Sequence, residues 1–395
     1  MGIEDREDTQ STLLVFDIDR REAGVRLTLT AFIVFSFCLA VQIGYWTILT
    51  LGFRRQLRRT ATAPSTTAVP VSVIVAARNE ADRLPALLAS LAAQTYDRFE
   101  VLIVDDGSTD ATADIVRKQA RSDDRFRLVA TTPAEPRKKN ALGAGIEEAA
   151  FERLAFTDAD CHPRAGWLSS LAACSTDRDT VVAGYSPFER EAGMVNAVSR
   201  YETFLTGYLT AAAIGLGRPY MAVGRNLSYS KELFGRIDGF DHSAHLLSGD
   251  DDLLVQEAAR RGASVLHMHE RESQVPTAAP ESWSEWIRQK RRHASAGRYY
   301  RPSVKAHLLA FHVTGHAMWL APIVAGLPGL ALLAGRLIIQ RAALARPAAV
   351  FGERDLLNLQ PVWELLYALY NVLVAPVGLL FQPGEWRTGG ERQVG

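Results

Sequence analysis

The sequence predicts an α/β domain with a mainly parallel sheet, flanked at both ends by membrane-spanning helices. Between about residues 70 and 300, short apolar runs alternate with segments of helical periodicity. Strands that are apolar throughout are typical of parallel sheets covered by helices on both faces. Apolar segments long enough to cross a bilayer precede and follow this block. With 395 residues, the chain is long enough for such a domain and its flanking segments.

The first apolar segment, residues 27–53, carries no charge and predicts a transmembrane anchor. It is longer than a signal-peptide core, and no small-residue cleavage site is obvious, so we expect it to be retained. Acids outnumber bases in residues 1–26, whereas "RRQLRR" begins directly after the segment, at Arg54. The positive-inside rule therefore places residues 1–26 outside the membrane and the following domain in the cytoplasm. Residues 54–70, which include "TATAPSTTAVP", are expected to form a linker.

The C-terminal region, residues 301–382, is expected to hold two or three membrane segments. An apolar region from His307 suits either a helical hairpin or one long span, with Pro328–Gly329 near a possible turn. Arginines at 336, 341 and 346 favour a return to the cytoplasm. The stretch Pro361–Phe381 either spans the membrane or lies at its interface. Residues 383–395 form a tail.

The central block, residues 71–300, predicts strands and helices in alternation. The strands are expected at "VSVIVAA" (71–77), "FEVLIVDD" (99–106), "FRLVA" (126–130) and "RLAFTDAD" (153–160). The helices are expected over 81–94, over 110–122 with Asp110 as the N-cap, and over 139–150.

Composition and missing motifs exclude several classes of protein. The 44 basic and 44 acidic residues balance, which argues against a nucleic-acid partner. No GxGxxG follows the first strand and no GxxxxGK[ST] occurs, which argues against a dinucleotide site and a P-loop. The three cysteines form no CxxC, so we expect reduced thiols. Cys161 and His162 are expected to serve local packing.

Polar sequences follow three of the predicted strands: "AARNE", "DDGSTD" and "DAD". In parallel sheets ligands bind beyond the carboxyl ends of the strands, so these sequences predict one site. Asp158 and Asp160 have i, i+2 spacing, which places both side chains on one face of an extended segment, roughly 6–7 Å apart. Two such carboxylates suit a divalent cation that also binds phosphate oxygens, although a turn at a strand end is the simpler alternative.

Two further patterns each allow a structural and a functional interpretation. The acids Asp250, Asp251 and Asp252 either cap the helix that begins there or supply a general base. The segment Trp283–Tyr300 is basic and rich in aromatic residues. It either lies at the membrane interface or uses Arg292 on a phosphate, with Trp286 or His293 at a sugar or acceptor site.

Taken together, these motifs resemble the family 2 glycosyltransferases with a GT-A fold, in their bacterial membrane-integrated form. The likeness rests on "VSVIVAARNEADRL", "VDDGSTD", "TDADCHP" and "SGDDDLL" in this order, and it covers about residues 70–300. The group includes polysaccharide synthases and lipid and carotenoid glycosyltransferases.

The resemblance implies roles for individual residues. Nucleotide contacts fall on Ala77, Arg78, Asn79, Glu80, Asp105, Asp106, Lys138 and Asp158, with Asp106 the better candidate for the uracil contact. Asp160, with Asp158, would hold Mg²⁺ or Mn²⁺. Asp251 takes the position of the base, and Asp250 the acidic position before it. Gly224, Asn226, Gln289, Arg292 and His293 fall on the acceptor or diphosphate side, with His293 where the motif QxxRW has Trp.

The implied function is inverting, metal-dependent hexosyl transfer from a UDP-sugar to a membrane lipid, lipid-linked or saccharide acceptor. The implied location is the bacterial inner membrane, crossed several times, with the catalytic domain in the cytoplasm. One alternative is a processive polysaccharide synthase of the hyaluronan or poly-N-acetylglucosamine type. The other is a membrane-tethered nucleotide-sugar binding protein without activity.

Overall fold

The computed structural model describes residues 4–61, 69–131, 137–175, 177–244, 246, 249–374 and 376. The described residues fall into two compact units. One contains the chain up to Ile48 together with Ala306–Ala343, and the other contains Leu49–Lys305 together with the chain from Leu344. Residues 62–68 of the expected linker, the end of the third apolar stretch and the tail 383–395 lie outside the described residues.

The larger unit is built on seven strands with helices between them. The strands are β1 Val71–Ala77, β2 Phe99–Asp106, β3 Phe126–Thr131, β4 Arg153–Phe156, β5 Thr180–Gly184, β6 Leu227–Ser230 and β7 Ser264–Met268. The helices are α2 Leu84–Ala92, α3 Thr112–Ser122, α4 Lys138–Glu148, α5 Trp167–Cys174, α6 Met194–Gly215, α7 Lys231–Arg236, α8 Asp252–Arg260, α9 Trp283–Ala296 and α12 Gln360–Leu373. The helices of the smaller unit are named below.

The strands form one sheet in the order β3-β2-β1-β4-β6-β5-β7. Parallel ladders join β1 to β2 and β4, β2 to β3, and β5 to β7. Strand β6 is antiparallel to both of its neighbours. The predicted mainly parallel α/β class is therefore confirmed, and the four predicted strands correspond to β1 to β4. The fourth prediction was too long, because β4 ends at Phe156 and Asp158 and Asp160 lie after it in a turn region.

Apolar side chains cover both faces of the sheet, as apolar strands require. Val73 and Val75 of β1 pack with α2 and α5 on one face, where Trp167 is fully buried. Ile74 of the same strand points the other way and packs with α4, α7 and α8. This alternation leaves the strand ends as the place where polar side chains can gather.

Local details differ from expectation at the start of one helix and at the end of another. Helix α3 begins after Ala111, so Asp110 stands one residue before the cap position. Its carboxylate still accepts the N–H of Thr112 at 2.9 Å and the N–H of Ala81 at 3.1 Å. Residues 54–61, expected to begin the linker, instead continue the first helix. Gln56 there donates to the carbonyl oxygen of His267 at 3.1 Å.

The smaller unit consists of parts of three apolar helices: α1 (Glu4–Ala61), α10 (Pro302–Ala317) and α11 (Ala321–Phe351). Among the described residues, Thr28–Thr60 and Pro302–Phe351 are long and apolar enough to cross a membrane. Gln42 of α1 donates to the carbonyl oxygen of Phe311 and to Thr314, both at 2.9 Å.

The second apolar region folds as a hairpin, the first of the two expected alternatives. Gly326 interrupts α11 with φ +60°, a conformation that favours glycine, two residues before the expected turn. A Cβ on Gly315 would lie 3.2 Å from Nη2 of Arg336, so residues on either side of the turn lie close together. The third apolar stretch forms α12, which belongs to the larger unit and buries Glu364 and Tyr367.

Candidate active site

A cavity of about 380 Å³ lies in the larger unit at the carboxyl ends of β1, β4 and β5. Its size is typical of small-molecule sites. Eleven of the sequence-predicted site residues line it: Arg78, Glu80, Lys138, Asp158, Asp160, Gly224, Asp250, Asp251, Gln289, Arg292 and His293. The other five, Ala77, Asn79, Asp105, Asp106 and Asn226, do not line this cavity. The structure thus gathers side chains that are as much as 215 residues apart in the sequence, from Arg78 to His293 (293 − 78).

The aspartates of "TDADCHP" follow β4, which ends at Phe156. Ligand atoms of Asp158, Asp160 and Cys161 all lie within 4.8 Å of one another. The Cys161 Sγ donates to Asp160 Oδ1 at 3.7 Å, and burial raises the pKa of this thiol well above its usual value. A protonated thiol is a poor ligand for Mg²⁺ or Mn²⁺, whereas paired carboxylates suit these cations. Asp158 and Asp160 therefore fit a hard divalent cation, and Cys161 serves packing.

Lys138, the first residue of α4, links the two acidic clusters of the cavity. Its Nζ lies 2.9 Å from Asp158 Oδ1 and 3.2 Å from Asp250 Oδ2. Burial opposes the charge of Lys138, but these two carboxylates outweigh burial and raise its pKa above the ordinary value. Burial likewise opposes ionisation of Asp158, yet Lys138, Arg225 and Arg292 lower the pKa of this carboxyl. Lys138 therefore keeps Asp158 ionised and holds it near Asp250.

Asp251 takes the structural role that the sequence left as one of two alternatives, and its surroundings suit the other. It is the N-cap of α8, since its Oδ1 accepts the N–H of Asp252 at 2.7 Å. Its Oδ2 accepts the N–H of Gly224 at 2.9 Å. A Cβ at position 224 would lie 3.3 Å from this oxygen, so glycine permits the close approach. Burial and then the neighbouring Asp250 raise the pKa of Asp251 to about 6, within the range of a general base.

The third acid, Asp252, has a supporting position that the sequence did not reveal. Tyr300 donates to Asp252 Oδ2, and the N–H of Ala222 donates to Oδ1 at 3.1 Å. Burial, together with Asp251, raises the pKa of Asp252 well above its usual value. Asp252 thus ties the start of α8 to Tyr300, beyond the end of α9, while Asp251 lines the cavity beside it.

The expected nucleotide residues form a locked turn at the ends of β1 and β2. Asn79 has φ +52°, and its Oδ1 accepts the N–H of Thr109 at 2.8 Å. Ser108 in turn accepts the N–H of Asn79 at 3.0 Å. Asp106 is fully buried, and among the described residues its Oδ2 has no hydrogen-bond partner. Burial raises the pKa of the Asp106 carboxyl. Asp105 is slightly more accessible than Asp106, with 8% of its surface exposed.

Helix α9 brings Gln289, Arg292 and His293 to the cavity, together with one residue that the sequence analysis missed. Lys290 is buried and forms an ion pair with Glu202 of α6. Lys290 stands inside the segment "QKRRH", but no sequence signal pointed to Glu202, 88 residues earlier.

Arg225 also lines the cavity and was missed, although it lies between Gly224 and Asn226. Its guanidinium donates to Ser186 Oγ at 2.6 Å and lies over the ring of Phe188, 5.6 Å from the centroid.

Asn226, expected on the acceptor side, is fully buried and its amide holds three parts of the fold together. Its Oδ1 accepts from Trp167 Nε1, and its Nδ2 donates to the carbonyl oxygens of Tyr185 and Ser273, each at 3.0 Å. These bonds give Asn226 a structural position behind the cavity wall.

Two family descriptions match the chain. "Glycosyl transferase family 2" matches residues 72–237, and "Glycosyl transferase family group 2" matches residues 158–376, more than half of the chain. The protein belongs to the family 2 glycosyltransferases. The family resemblance inferred from the motifs is therefore confirmed, and the two matches together include the whole cavity wall from Ala76 to Tyr370.

Individual relatives show how far the likeness to this glycosyltransferase extends. "Glycosyltransferase AglE" of Haloferax volcanii is 29% identical over 206 residues, 51% of this chain and 64% of the relative. A "Poly-beta-1,6-N-acetyl-D-glucosamine synthase" of Staphylococcus aureus is 32% identical over 91 residues, 23% of this chain and 21% of the synthase. The chain thus spans less than two thirds of the length of these relatives.

Among solved structures, a mannosyltransferase from Pyrobaculum calidifontis in complex with GDP-Man and Mn²⁺ superposes with a TM-score of 0.53. The likeness covers 86% of this chain and 99% of the other, at 20% sequence identity. At this identity it bears on the fold, and it confirms the GT-A architecture of this glycosyltransferase.

Proposed function

We propose that this glycosyltransferase moves a sugar from a UDP-sugar to a membrane-associated acceptor, with inversion at the anomeric carbon. The observation that carries the proposal is the shared cavity: the Asp158–Asp160 pair and Asp251 line one space but belong to separate acidic clusters. The first pair suits a cation that binds a diphosphate, whereas Asp251, with its pKa raised to about 6, suits proton transfer.

The donor is proposed to bind along the ends of β1, β2 and β4. Arg78 and Glu80 line the cavity next to the turn of Asn79. Asp106 lies behind the lining, and its Oδ2, which has no hydrogen-bond partner in the part of the chain that the structure describes, is a candidate acceptor for an N–H of the base. Asp158 and Asp160 would hold Mg²⁺ or Mn²⁺, whose charge neutralises the diphosphate and stabilises it as a leaving group. Arg292 also lines the cavity, and a guanidinium suits phosphate oxygens geometrically.

The transfer itself is a single displacement. The Asp251 carboxylate takes the proton of an acceptor hydroxyl while that oxygen forms a bond to the anomeric carbon. The bond between that carbon and the diphosphate breaks, and its electron pair leaves with the nucleoside diphosphate. The N–H groups of Gly224 and Asp252 hold both carboxylate oxygens of Asp251, which fixes its orientation.

A membrane location is part of the proposal, with the catalytic unit in the cytoplasm. It is supported by the two apolar helical segments, Thr28–Thr60 and Pro302–Phe351, and by the arginines that follow residue 53. A membrane lipid or a lipid-linked saccharide is the acceptor that such a location favours.

A panel of UDP-sugars with membrane lipid extract tests the proposal, with GDP-mannose as the comparison donor and mass analysis of the products. One or a few sugars on a lipid-soluble product are expected with a UDP-sugar. A ladder of long chains would instead identify a processive synthase. Tight nucleotide binding with no transfer or donor hydrolysis would identify a binding protein, and a product from GDP-mannose alone would refute the UDP assignment.

A further inference from the structure

One wall of the cavity comes from α6, a helix to which no role has been assigned. Glu202, Thr203, Thr206 and Thr210 line the cavity from this helix. Residues three and four apart share a helix face, so these side chains form one polar stripe. The rest of this helix is buried through apolar residues such as Phe204 and Leu205. A carboxylate and three hydroxyls therefore border the cavity on a helix that is otherwise part of the core.

The polar stripe is organised around the carboxylate of Glu202. Lys290 of α9 forms an ion pair with it, and the two side chains are only 12% and 7% exposed for Glu202 and Lys290 respectively. Thr206 donates to Glu202 Oε1 at 3.3 Å, and Thr203 donates to Oε2 at 3.5 Å. A buried ion pair contributes little to stability because desolvation offsets its attraction, so its place in a cavity wall calls for another explanation.

A second observation points to a ligand on the same side. Gln289, one residue before Lys290, lines the cavity, and within the described part of the chain its buried Oε1 has no hydrogen-bond partner. An unsatisfied buried acceptor costs free energy unless a bound group donates to it. Tyr370 of α12 adds an aromatic ring to this wall, held against Trp286 with 4.8 Å between the ring centroids.

The chain connection of this wall indicates which substrate it contacts. The residues proposed to bind the donor base and diphosphate cation belong to the ends of β1, β2 and β4, and α6 contributes none of them. After α6, the chain leads to the lining segment 221–225, whose Gly224 N–H donates to Asp251. The α6 wall is therefore assigned to the acceptor rather than to the donor.

The chemistry of the wall selects a class of acceptor. An alkyl chain placed here would supply no donor to the buried Oε1 of Gln289 and would cover the free lone pairs of the threonine hydroxyls, which costs free energy. A sugar ring offers several hydroxyls as donors and acceptors and an apolar face that packs on an aromatic ring. On the basis of the proposed function, we propose that the α6 wall is an acceptor subsite for a saccharide, free or lipid-linked.

Binding of methyl β-glycosides to the full chain in a sugar-free detergent tests this subsite. The probes are the glycosides of glucose, galactose, mannose and N-acetylglucosamine, observed by saturation-transfer NMR with UDP present. We expect transfer to the ring protons of at least one glycoside. Thr206→Val should weaken its binding about three- to tenfold, as loss of one hydrogen bond does. Thr95→Val, on a surface threonine that binds the carbonyl oxygen of Ala165, is the matched control and should leave binding unchanged.

A second variant and a second assay complete the test. Glu202→Gln should weaken glycoside binding further than Thr206→Val does. Because this change leaves the buried charge of Lys290 without its carboxylate, the double variant Glu202→Gln/Lys290→Met is measured as well, to exclude misfolding as the cause. Transfer of labelled sugar to octyl glycosides but not to 1-octanol is expected, and acceptance of methyl glycosides as well would show that the lipid part is dispensable.

The failure of this inference is distinguishable from failure of the proposed function. Three results would overturn the saccharide subsite even if UDP binds. They are transfer to 1-octanol as fast as to octyl glycosides, no binding of any methyl glycoside, and unchanged glycoside binding in Thr206→Val. Loss of UDP binding to the unmodified chain would instead overturn the donor assignment.

Discussion

Replacement of Asp251 by Asn gives the sharpest test of the proposed chemistry. Asn keeps the shape of the side chain and is an equally good helix N-cap, but it cannot take a proton. General base catalysis contributes typically about 100- to 10,000-fold, so we expect a loss of this size in the transfer rate. Nucleotide binding should be retained, because Asp251 is not placed on the donor side.

The structure predicts that this loss is not a folding effect. The pKa of Asp251 rises from 3.8 to about 6, a difference of about 2 units, so its ionised form costs at most about 3 kcal/mol at neutral pH. Asn removes that cost. However, Asn presents an NH₂ group to one of the two backbone N–H donors, of Gly224 and Asp252, which loses a charge-assisted bond of about 1.5–3 kcal/mol. The two effects nearly cancel, so the melting temperature should change little.

The assay is release of UDP coupled to product formation, measured from pH 4.5 to 8. Because the base must be ionised, the rate of the unmodified enzyme should fall about tenfold per pH unit below pH 6 and level off above it. Asp251→Asn should lose this acid limb along with the activity.

The matched control is Asp252→Asn. Burial, together with Asp251, raises the pKa of Asp252 well above its usual value, so this position disfavours a negative charge. An amide can replace it between Tyr300 and the N–H of Ala222, and activity should fall no more than a few fold. If Asp251→Asn keeps its activity within threefold, or if the two variants lose equal activity, the assignment of the base is wrong.

Three further variants separate the other roles. Asp160→Asn should lower transfer by about 100-fold or more and abolish Mn²⁺ binding measured by calorimetry; normal turnover of chelator-treated protein would contradict the metal assignment. Lys138→Met removes a positive charge that lowers the pKa of Asp251, so the acid limb of the pH–rate profile should move to higher pH, whereas Lys138→Arg should leave it in place. Asn226→Ala should lower the free energy of unfolding by about 2–4 kcal/mol in a denaturant titration, since Trp167 and two carbonyl groups lose their hydrogen-bond partner. The donor KM should not change. A changed donor KM at unchanged stability would show that Asn226 contacts substrate instead.

Periodicity and strand-end acids were sufficient to find the first half of the sheet. Strands β1 to β4 are mainly apolar and three of them are followed by a polar sequence, so the sequence predicted their positions and the shared edge where Asp158 and Asp160 lie. The remaining strands, β5 to β7, are short and follow irregular segments, and the antiparallel insertion of β6 depends on long-range pairing that no local pattern encodes. The order of the motifs also identified the family.

No local sequence pattern distinguished the individual acids from one another or predicted the lining residues that come from α6 and α12. "DDD" allowed a cap or a base, and folding makes Asp251 the cap while placing it in the cavity, because the approach of Gly224 and the start of α8 fix the same carboxylate. The pairing of Lys138 with Asp158 and Asp250, and of Glu202 with Lys290, joins residues far apart in the chain. Local sequence therefore supplies the types of residue that transfer chemistry needs. Burial and charge at short distance, which exist only after folding, determine which carboxyl has its pKa raised, which has it lowered and which side chains line the cavity.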